Sequence, residues 1–398
     1  MDIQKIPLEM IRSAAYNPRK DLKPGDLDYE KLKKSMGEFD FIEPLVWNKR
    51  SGNLVGGHQR LKILANEWHV TEVDCSVVDL DDTKEKALNL ALNKISGEWD
   101  NPLLKDLLLE LDTGAFDIEI TGFDMDEIAA LMNQLFVPEE GKTEDDHIPE
   151  ATESICKKGD LWKLGNHRLF CGDATVITDV EKLMGGEKAD MVFTDPPYGV
   201  DYHGGTINDK QRNGIKGDAT DSKELYRDAL SNAVITTKAK AAFYIWFASS
   251  HIVTTAMALR DAGLRHKALI IWHKTNAGFG SLNHHYKQKH EPCFYMSKQG
   301  EAELWCGPSN EVTVWDIARD GRNEYHLTQK PVALPERAIG NSSHLNDIVL
   351  DLFGGSGSTL IACEKLCRRC FMMEIDEHYC DVIIKRYEDF TGKQAERL

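Results

Sequence analysis

The chain has 398 residues, a formal net charge of −17 and 41% hydrophobic residues, enough apolar side chains for two or three ordinary cores. It contains no apolar run of about 18 residues, which argues against a transmembrane helix. Its start, MDIQKIPLEMIRS, lacks the layout of a secretory signal. Nine cysteines at irregular spacings fit reduced thiols, so a cytoplasmic location is expected.

In chain order, EPLVWNK (43–49) and TEVDCSVVDL (71–80) read as strands. Between them, GGHQRLKILANEW (56–68) reads as a glycine turn opening an amphipathic helix, with Leu61, Leu64 and Ala65 on one face. Helices are expected at 82–95, at 101–114 with Gly114 near the C-cap, and at 124–136. The stretch VPEEGKTEDDHIPEATES that follows is acidic, has two prolines and lacks apolar periodicity. It predicts a linker over 137–154 between a domain at 1–136 and a domain at 155–398. The acidity sits ahead of that linker's end. Residues 1–150 hold 17 Lys+Arg against 32 Asp+Glu, and residues 151–398 hold 31 against 33. The second part is near neutral, so the global charge does not exclude a local groove for nucleic acid.

Beyond residue 155 the pattern alternates. Strands are expected at 189–195, 241–248, 267–274, 291–298, 347–353 and 370–376, with helical runs around 222–237, 252–262 and 358–367. Buried apolar strands alternating with helices predict an α/β sheet, largely parallel. No repeat of 20–50 residues is visible.

Two segments carry chemistry. In VFTDPPYGVDYHGG an apolar run ends at Thr194 and presents Asp195, Pro196, Pro197 and Tyr198. Adjacent prolines fit neither a helix interior nor a central strand, so this is a strand end with a stiff corner. In DIVLDLFGGSGSTLIACEKL a strand ends in Asp351, a turn with Gly354, Gly355 and Gly357 follows, and a helix begins near Ser358. Glycine there lets backbone approach a nucleotide-like ligand closely. An ordinary strand-to-helix connection would look the same, so the turn counts only beside its neighbours. Glu374 ends the next strand about 20 residues on, the offset at which an acid meets ribose hydroxyls.

Together, Asp195-Pro196-Pro197-Tyr198 and DLFGGSGST resemble the amino-group DNA methyltransferases that use S-adenosylmethionine. The box precedes the cofactor loop, the permuted order of the family's beta group. The resemblance covers about residues 155–390. It implies a Rossmann-like methyltransferase sheet and a methyl transfer to N6 of adenine or N4 of cytosine. Through LFCGDA it assigns Asp173 to the cofactor's adenine, and through HLTQKPVALPERAI it assigns His326, Thr328, Lys330 and Pro331 to the methionine part. Through the loop and the next strand it assigns Asp351, Phe353, Gly354, Gly355, Ser356, Gly357, Ser358, Glu374 and Asp376 to the cofactor. KHEPCFYMSK (289–298) resembles the strand bordering the target base.

The expected chemistry follows from the residue types. An exocyclic amine has its lone pair delocalised into the ring, so it needs an acceptor that draws its hydrogens. The Asp195 carboxylate and the Pro196 carbonyl suit that role, and Tyr198 offers a face to a base rotated out of the duplex. Direct displacement needs no catalytic cysteine. Asp at the head of the box favours adenine, since Ser is common in N4-cytosine enzymes. Double-stranded DNA is the expected partner, with 201–222, 273–291 and 315–326 as candidate contacts. A homodimer is also considered. Of Cys363, Cys367, Cys370 and Cys380, the first two fall inside the helix after the cofactor loop and Cys370 starts a buried strand, so no metal is expected.

The first domain carries a second resemblance. NPRK (17–20), FIEPLVWNKRSGNLVGGHQRLKIL (41–64) and ALNLALNKISGEWD (87–100) look like the ParB/sulfiredoxin type, a small α+β domain. In that superfamily the GGHQR turn binds phosphate, which would assign Gly56, Gly57, His58 and Arg60, with a nucleotide as the ligand. The arginine-rich box of chromosome-partition proteins is reduced to Arg60 and Lys62, His58 replaces the sulfiredoxin cysteine, and no helix-turn-helix domain is expected to follow. A scaffold or dimerisation module is the plainer reading. Two-part chains of this kind suggest a phage, prophage or restriction-modification setting. The rivals are an N4-cytosine methyltransferase, a partition-like nucleotide- or DNA-binding protein whose second half is inactive, and a nucleotide-hydrolysing enzyme built on the GGHQR turn.

Overall fold

The structure is a computed structural model. It describes residues 2–39, 43–94, 99–111, scattered positions between 121 and 150, 154–197, 222–274, 286, 288–318 and 329–398. The chain divides into two compact units, Met1–Phe136 and Val137–Leu398.

The first unit has strands β1 (Ile3–Pro7), β2 (Arg12–Ser13), β3 (Leu45–Asn48), β4 (Asn53–Gly56) and β5 (Glu72–Val78) in the order β1-β5-β3-β4-β2. Helices α1 (Leu27–Phe39), α2 (His58–Asn66), α3 (Asp82–Asn93) and α4 (Asn101–Leu111) accompany them. Tyr29, Leu45, Leu54, Ile63 and Cys75 form its core. Asp81 caps α3 by accepting from the Lys84 amide, which ends the preceding extended chain. A second cluster joins α3 to α4 through Leu90, Leu104, Leu107 and Leu108. The helix expected at 124–136 and Gly114 lie largely outside the described residues.

The second unit holds β6 (Leu161–Leu164), β7 (His167–Cys171), β8 (Ala189–Thr194), β9 (Thr237–Trp246), β10 (Leu264–His273), β11 (His290–Lys298), β12 (Val314–Asp316), β13 (Ile348–Asp351), β14 (Arg369–Glu374) and β15 (Glu396–Arg397). They form one sheet in the order β12-β10-β11-β9-β8-β13-β14-β7-β6-β15. The middle, β9-β8-β13-β14-β7, is parallel throughout. The flanks are not: β11 runs antiparallel to β9 and β10, and β6 antiparallel to β7 and β15. The sheet is therefore mixed, because the short link between β6 and β7 is a hairpin and needs no helical crossover.

Side chains along the central strands sort by parity onto two faces. Met191 and Phe193 of β8, Val349 of β13, and Cys370 and Met372 of β14 point to one core. That core holds α8 (Ala333–Ser342), α9 (Ser358–Lys365) and α10 (Glu377–Thr391). Val192, Leu350, Phe371 and Met373 point to the other core, with α5 (Ile177–Met184), α6 (Ser222–Thr236) and α7 (Ile252–Asp261). This two-sided burial explains why the strands read as unbroken apolar runs.

Part of the expected linker is docked. The Lys142 amide donates to the Phe390 carbonyl, and Asp145 pairs with Lys365. Asp146 accepts from the Val332 amide at 2.9 Å, and the Asp145 carbonyl accepts from Arg386 at 2.7 Å. At Gly141 a Cβ would collide with the Phe390 ring, so the close approach requires glycine. The acidity of the segment serves the docking: the Asp145 carboxylate pairs with Lys365 and the Asp146 carboxylate accepts from Val332. Among the described residues no helix is long and apolar enough to cross a membrane.

Candidate active site

The chain leaves β8 towards β9 on one side and leaves β13 towards β14 on the other, so the neighbouring carboxyl ends of β8 and β13 form a topological switch point. Crevices at such points are the usual ligand sites of open α/β sheets. The register Leu350–Val192 carries both strands to that edge together. Thr194 donates its hydroxyl to Asp351 Oδ1 at 2.9 Å, and its Oγ1 accepts from the Leu352 amide at 3.3 Å. Asp195 and Pro196 follow directly, with Pro196 buried. Segments 157 positions apart in the sequence are thus joined by a buried hydrogen bond. Tyr198 lies outside the described residues.

Asp351 is 3% exposed and organises the loop. Oδ1 also accepts from the Phe353 amide at 3.1 Å, and Oδ2 accepts from the Thr359 hydroxyl at 2.6 Å. Burial pushes its carboxyl up to about 7, against the pull of Thr359, the Phe353 amide and Thr194. The loop glycines have distinct tasks. Gly354 lies where a Cβ would stand 2.7 Å from Met372, and its amide donates to the Met373 carbonyl at 2.8 Å. Gly357 adopts φ +86° as the N-cap of α9. At Gly355, φ is +52° and a Cβ would meet nothing within 4 Å, so the loop is open there to a ligand.

Glu374 at the end of β14 accepts from the Gly355 amide at 2.8 Å through Oε2 and from the Asp376 amide at 2.9 Å through Oε1. Burial raises its carboxyl to about 7, against the Asp376 and Gly355 amides. The Asp376 side chain caps α10 by accepting from the His378 amide at 3.0 Å. Asp173 follows β7, where the Gly172 amide donates to the Glu374 carbonyl at 3.0 Å. Its Oδ1 accepts from the Thr175 amide and hydroxyl at 2.9 and 2.7 Å. Asp195, Asp351, Glu374 and Asp173 therefore follow the carboxyl ends of four adjacent parallel strands.

Lys330 is held beside the box and the cofactor loop at once. Its ammonium, expected at the cofactor's methionine, is only 7% exposed, pairs with Asp195 and lies 3.2 Å from Glu291. Its main-chain carbonyl accepts from the Ser358 hydroxyl at 2.8 Å, which ties the Lys330-Pro331 segment to the start of α9. His326 and Thr328 lie outside the described residues.

Arg386 is a residue the sequence reading missed. It is 2% exposed on α10 and donates to the Ser356 carbonyl at 2.8 Å, bracing the glycine loop from behind. Burial draws its guanidinium down to about 10. An arginine inside an otherwise apolar helical stripe, VIIKRYEDF, was the available signal. Cys380 does not gather with Cys363, Cys367 and Cys370 as a group of four. Its sulfur lies within 4.8 Å of those of Cys156 and Cys171, all three buried.

The candidate DNA contacts at 201–221, 275–285 and 319–326 lie outside the described residues, but the stretch from 315 begins inside β12, with Trp315 buried. In the first unit, Gly57 has φ +91° at the N-cap of α2, and a Cβ there would stand 2.5 Å from Leu45. Gly56 packs against Leu92. Arg60 is engaged by the Glu43 carboxylate at 2.5 Å, and burial draws His58 down to about 4. Of the four groups expected to cradle phosphate, Arg60 is thus paired with an acid that is itself exposed.

Comparison with known proteins matches three segments of the chain. A family model described as DNA methylase matches residues 189–386, one for the ParB N-terminal domain matches 1–94, and one for the ParB-methyltransferase HTH domain matches 102–158. The last corrects the expectation that no helix-turn-helix domain follows. "Putative methylase YubD" of Escherichia coli (strain K12) is 31% identical over 200 residues, 49% of this chain and 79% of that protein. Type II methyltransferase M.HpaI of Haemophilus parainfluenzae is 26% identical over 254 residues, 57% of this chain and 76% of that protein. Among solved structures, an M1.HpyAVI–SAM complex aligns at TM-score 0.43 and 25% identity, over 55% of this chain and 98% of that one.

Proposed function

The chain belongs to the N6/N4 DNA methylase family, with ParB-type domains ahead of the methylase domain, and on that premise we propose that it methylates the N6 amine of adenine in double-stranded DNA, with S-adenosyl-L-methionine as donor. The observation that carries the reading is the switch point itself, where Asp195 leaves β8 beside the glycine loop that leaves β13. The residues present fit the donor. Gly355 opens on space, Gly354 and Gly357 allow close backbone packing, and two buried acids end the adjoining strands. Glu374 would take the ribose hydroxyls and Asp173 the adenine amine. Asp351 acts one step back, holding the loop. When bound, the donor supplies an electrophilic methyl group on a sulfonium.

The chain's own residues do the rest. Asp195 and the Pro196 carbonyl accept the hydrogens of the target amine, which pyramidalises the nitrogen and frees its lone pair for in-line attack. The two prolines hold these acceptors in place before the base arrives. Tyr198 stacks on the flipped base. Asp195 at the head of the box supports adenine over cytosine. The test is expression in a methylation-free host followed by single-molecule sequencing of its DNA. Modified adenines in one sequence context are expected. Modified cytosines would move the target to N4, and unmodified DNA from cells holding folded, donor-binding protein would overturn the reading.

A further inference from the structure

Three charged side chains from distant segments meet beside the catalytic box. Asp195 follows β8, Glu291 lies on β11, and Lys330 precedes α8. Lys330 is paired with both acids, and its ammonium stands 5.1 Å from the centroid of the Trp246 ring. Glu291 is itself held by a second cation, Lys274 of the segment after β10. Such a cluster is costly to bury unless each charge has its counterpart, and removing one partner strands the others.

Resting on the function proposed above, we propose that Lys330, held by Glu291, is a positioning residue for methyl transfer: it fixes the Asp195 carboxylate, ionised and aimed, before the base enters. Asp195 sits at the end of a strand, where one side-chain torsion would swing the carboxylate away from the amine. The Lys330 ammonium pins Oδ2. Lys330 cannot wander, because its carbonyl accepts from Ser358 and the Val332 amide two residues on donates to Asp146. The same residue thus ties the start of the cofactor helix to the acid that receives the amine.

The charges around it favour this state. Burial alone would lower the Lys330 ammonium, but Asp195 and Glu291 outweigh it and hold it above its ordinary value. Burial alone would raise Glu291, but Lys330 and Lys274 bring it down to about 2. Among the described residues, Asp351 of β13 and the Cys293 thiol of β11 also face the cluster: Asp351 feels Asp195, and Cys293 feels Lys330 and Asp195. Lys330 and Glu291 therefore stay ionised across the neutral range.

The test compares Lys330→Met, Lys330→Arg, Glu291→Gln and the double variant Lys330→Met/Glu291→Gln in steady-state methylation, with donor binding measured separately by calorimetry. Lys330→Met is expected to lose at least about tenfold in kcat with donor affinity within about threefold of the parent. Its acidic pH–rate limb should move up by about one to three units, because the carboxylates have lost a nearby cation. Lys330→Arg keeps the limb in place. The double variant, which strands no extra buried carboxylate, secures a folded protein if the single one unfolds, and it too should show the kcat loss. Parent-like kcat and pH profile in Lys330→Met, or in the double variant if only that folds, overturns the proposal. A weakened donor affinity with unchanged kcat does so as well, returning Lys330 to the cofactor. Absence of methylation by the parent chain would instead sink the proposed function.

Discussion

Donor binding should depend on pH through Glu374. In the free protein burial holds this carboxyl at about 7, although two backbone amides stabilise its ionised form. Ribose hydroxyls are donors, and a carboxylate accepts from them more strongly than a neutral acid does. If only the ionised form binds well, affinity follows the ionised fraction. Between about pH 7.5 and about pH 5.5 that fraction falls about 25-fold, so the dissociation constant should rise by about the same factor. Calorimetric titration with S-adenosylhomocysteine across this range, in two buffers of different ionisation enthalpy, measures both the slope and the proton released on binding. Glu374→Gln should bind more weakly at neutral pH and lose the slope. A flat profile in the parent refutes the assignment, and an unchanged slope in Glu374→Gln moves the titration to Asp351, which also sits at about 7. The unliganded fold carries the opposite sign. Its Glu374 binds a proton that the unfolded chain, with an ordinary value of 4.5, has already lost. Stability should therefore fall as pH rises from about 4.5 to about 7, by up to about 3 kcal/mol from this group, and donor should restore part of it.

Asp195→Ala should cut kcat by at least about a hundredfold while donor affinity stays within about threefold, read by tritium transfer and calorimetry. Thr359→Val removes a donor from buried Asp351 and should cost about 1–3 kcal/mol in urea unfolding with an unchanged m value. Gly357→Ala places a side chain at φ +86° and 3.2 Å from Ile383, so thermal scans should show a loss of about 1 kcal/mol or more and weaker donor binding.

The parts of this molecule that were legible beforehand are those fixed by short-range patterns. Apolar runs gave the central strands, because both faces of the sheet are covered and nearly every position of β8, β13 and β14 is buried. The double proline marked the strand end, and the spaced glycines marked the loop, because backbone geometry excludes most other residues there. What escaped depends on pairings across long sequence distances. Lys330 meets Asp195 over 135 positions and Asp145 meets Arg386 over 241, and no local pattern records either. The same limit hid the antiparallel flanks, since periodicity does not encode the direction of a neighbour. The helix-turn-helix assignment was missed for a related reason: within its span Leu107 and Ile128 share a cluster with Leu90 of the preceding α3, and each is an ordinary amphipathic position when read one helix at a time.

Arg386 reaches forward to Ser356 and back to Asp145 with the two arms of one guanidinium. A catalytic half cut at the apparent composition boundary near 155 would leave one arm without its acceptor and expose the groove that Lys142 to Asp146 now fills. The usable edge of the domain therefore lies upstream of what charge and proline content alone would recommend, and a fragment trimmed too closely would be judged inactive for want of a strap rather than of a catalyst.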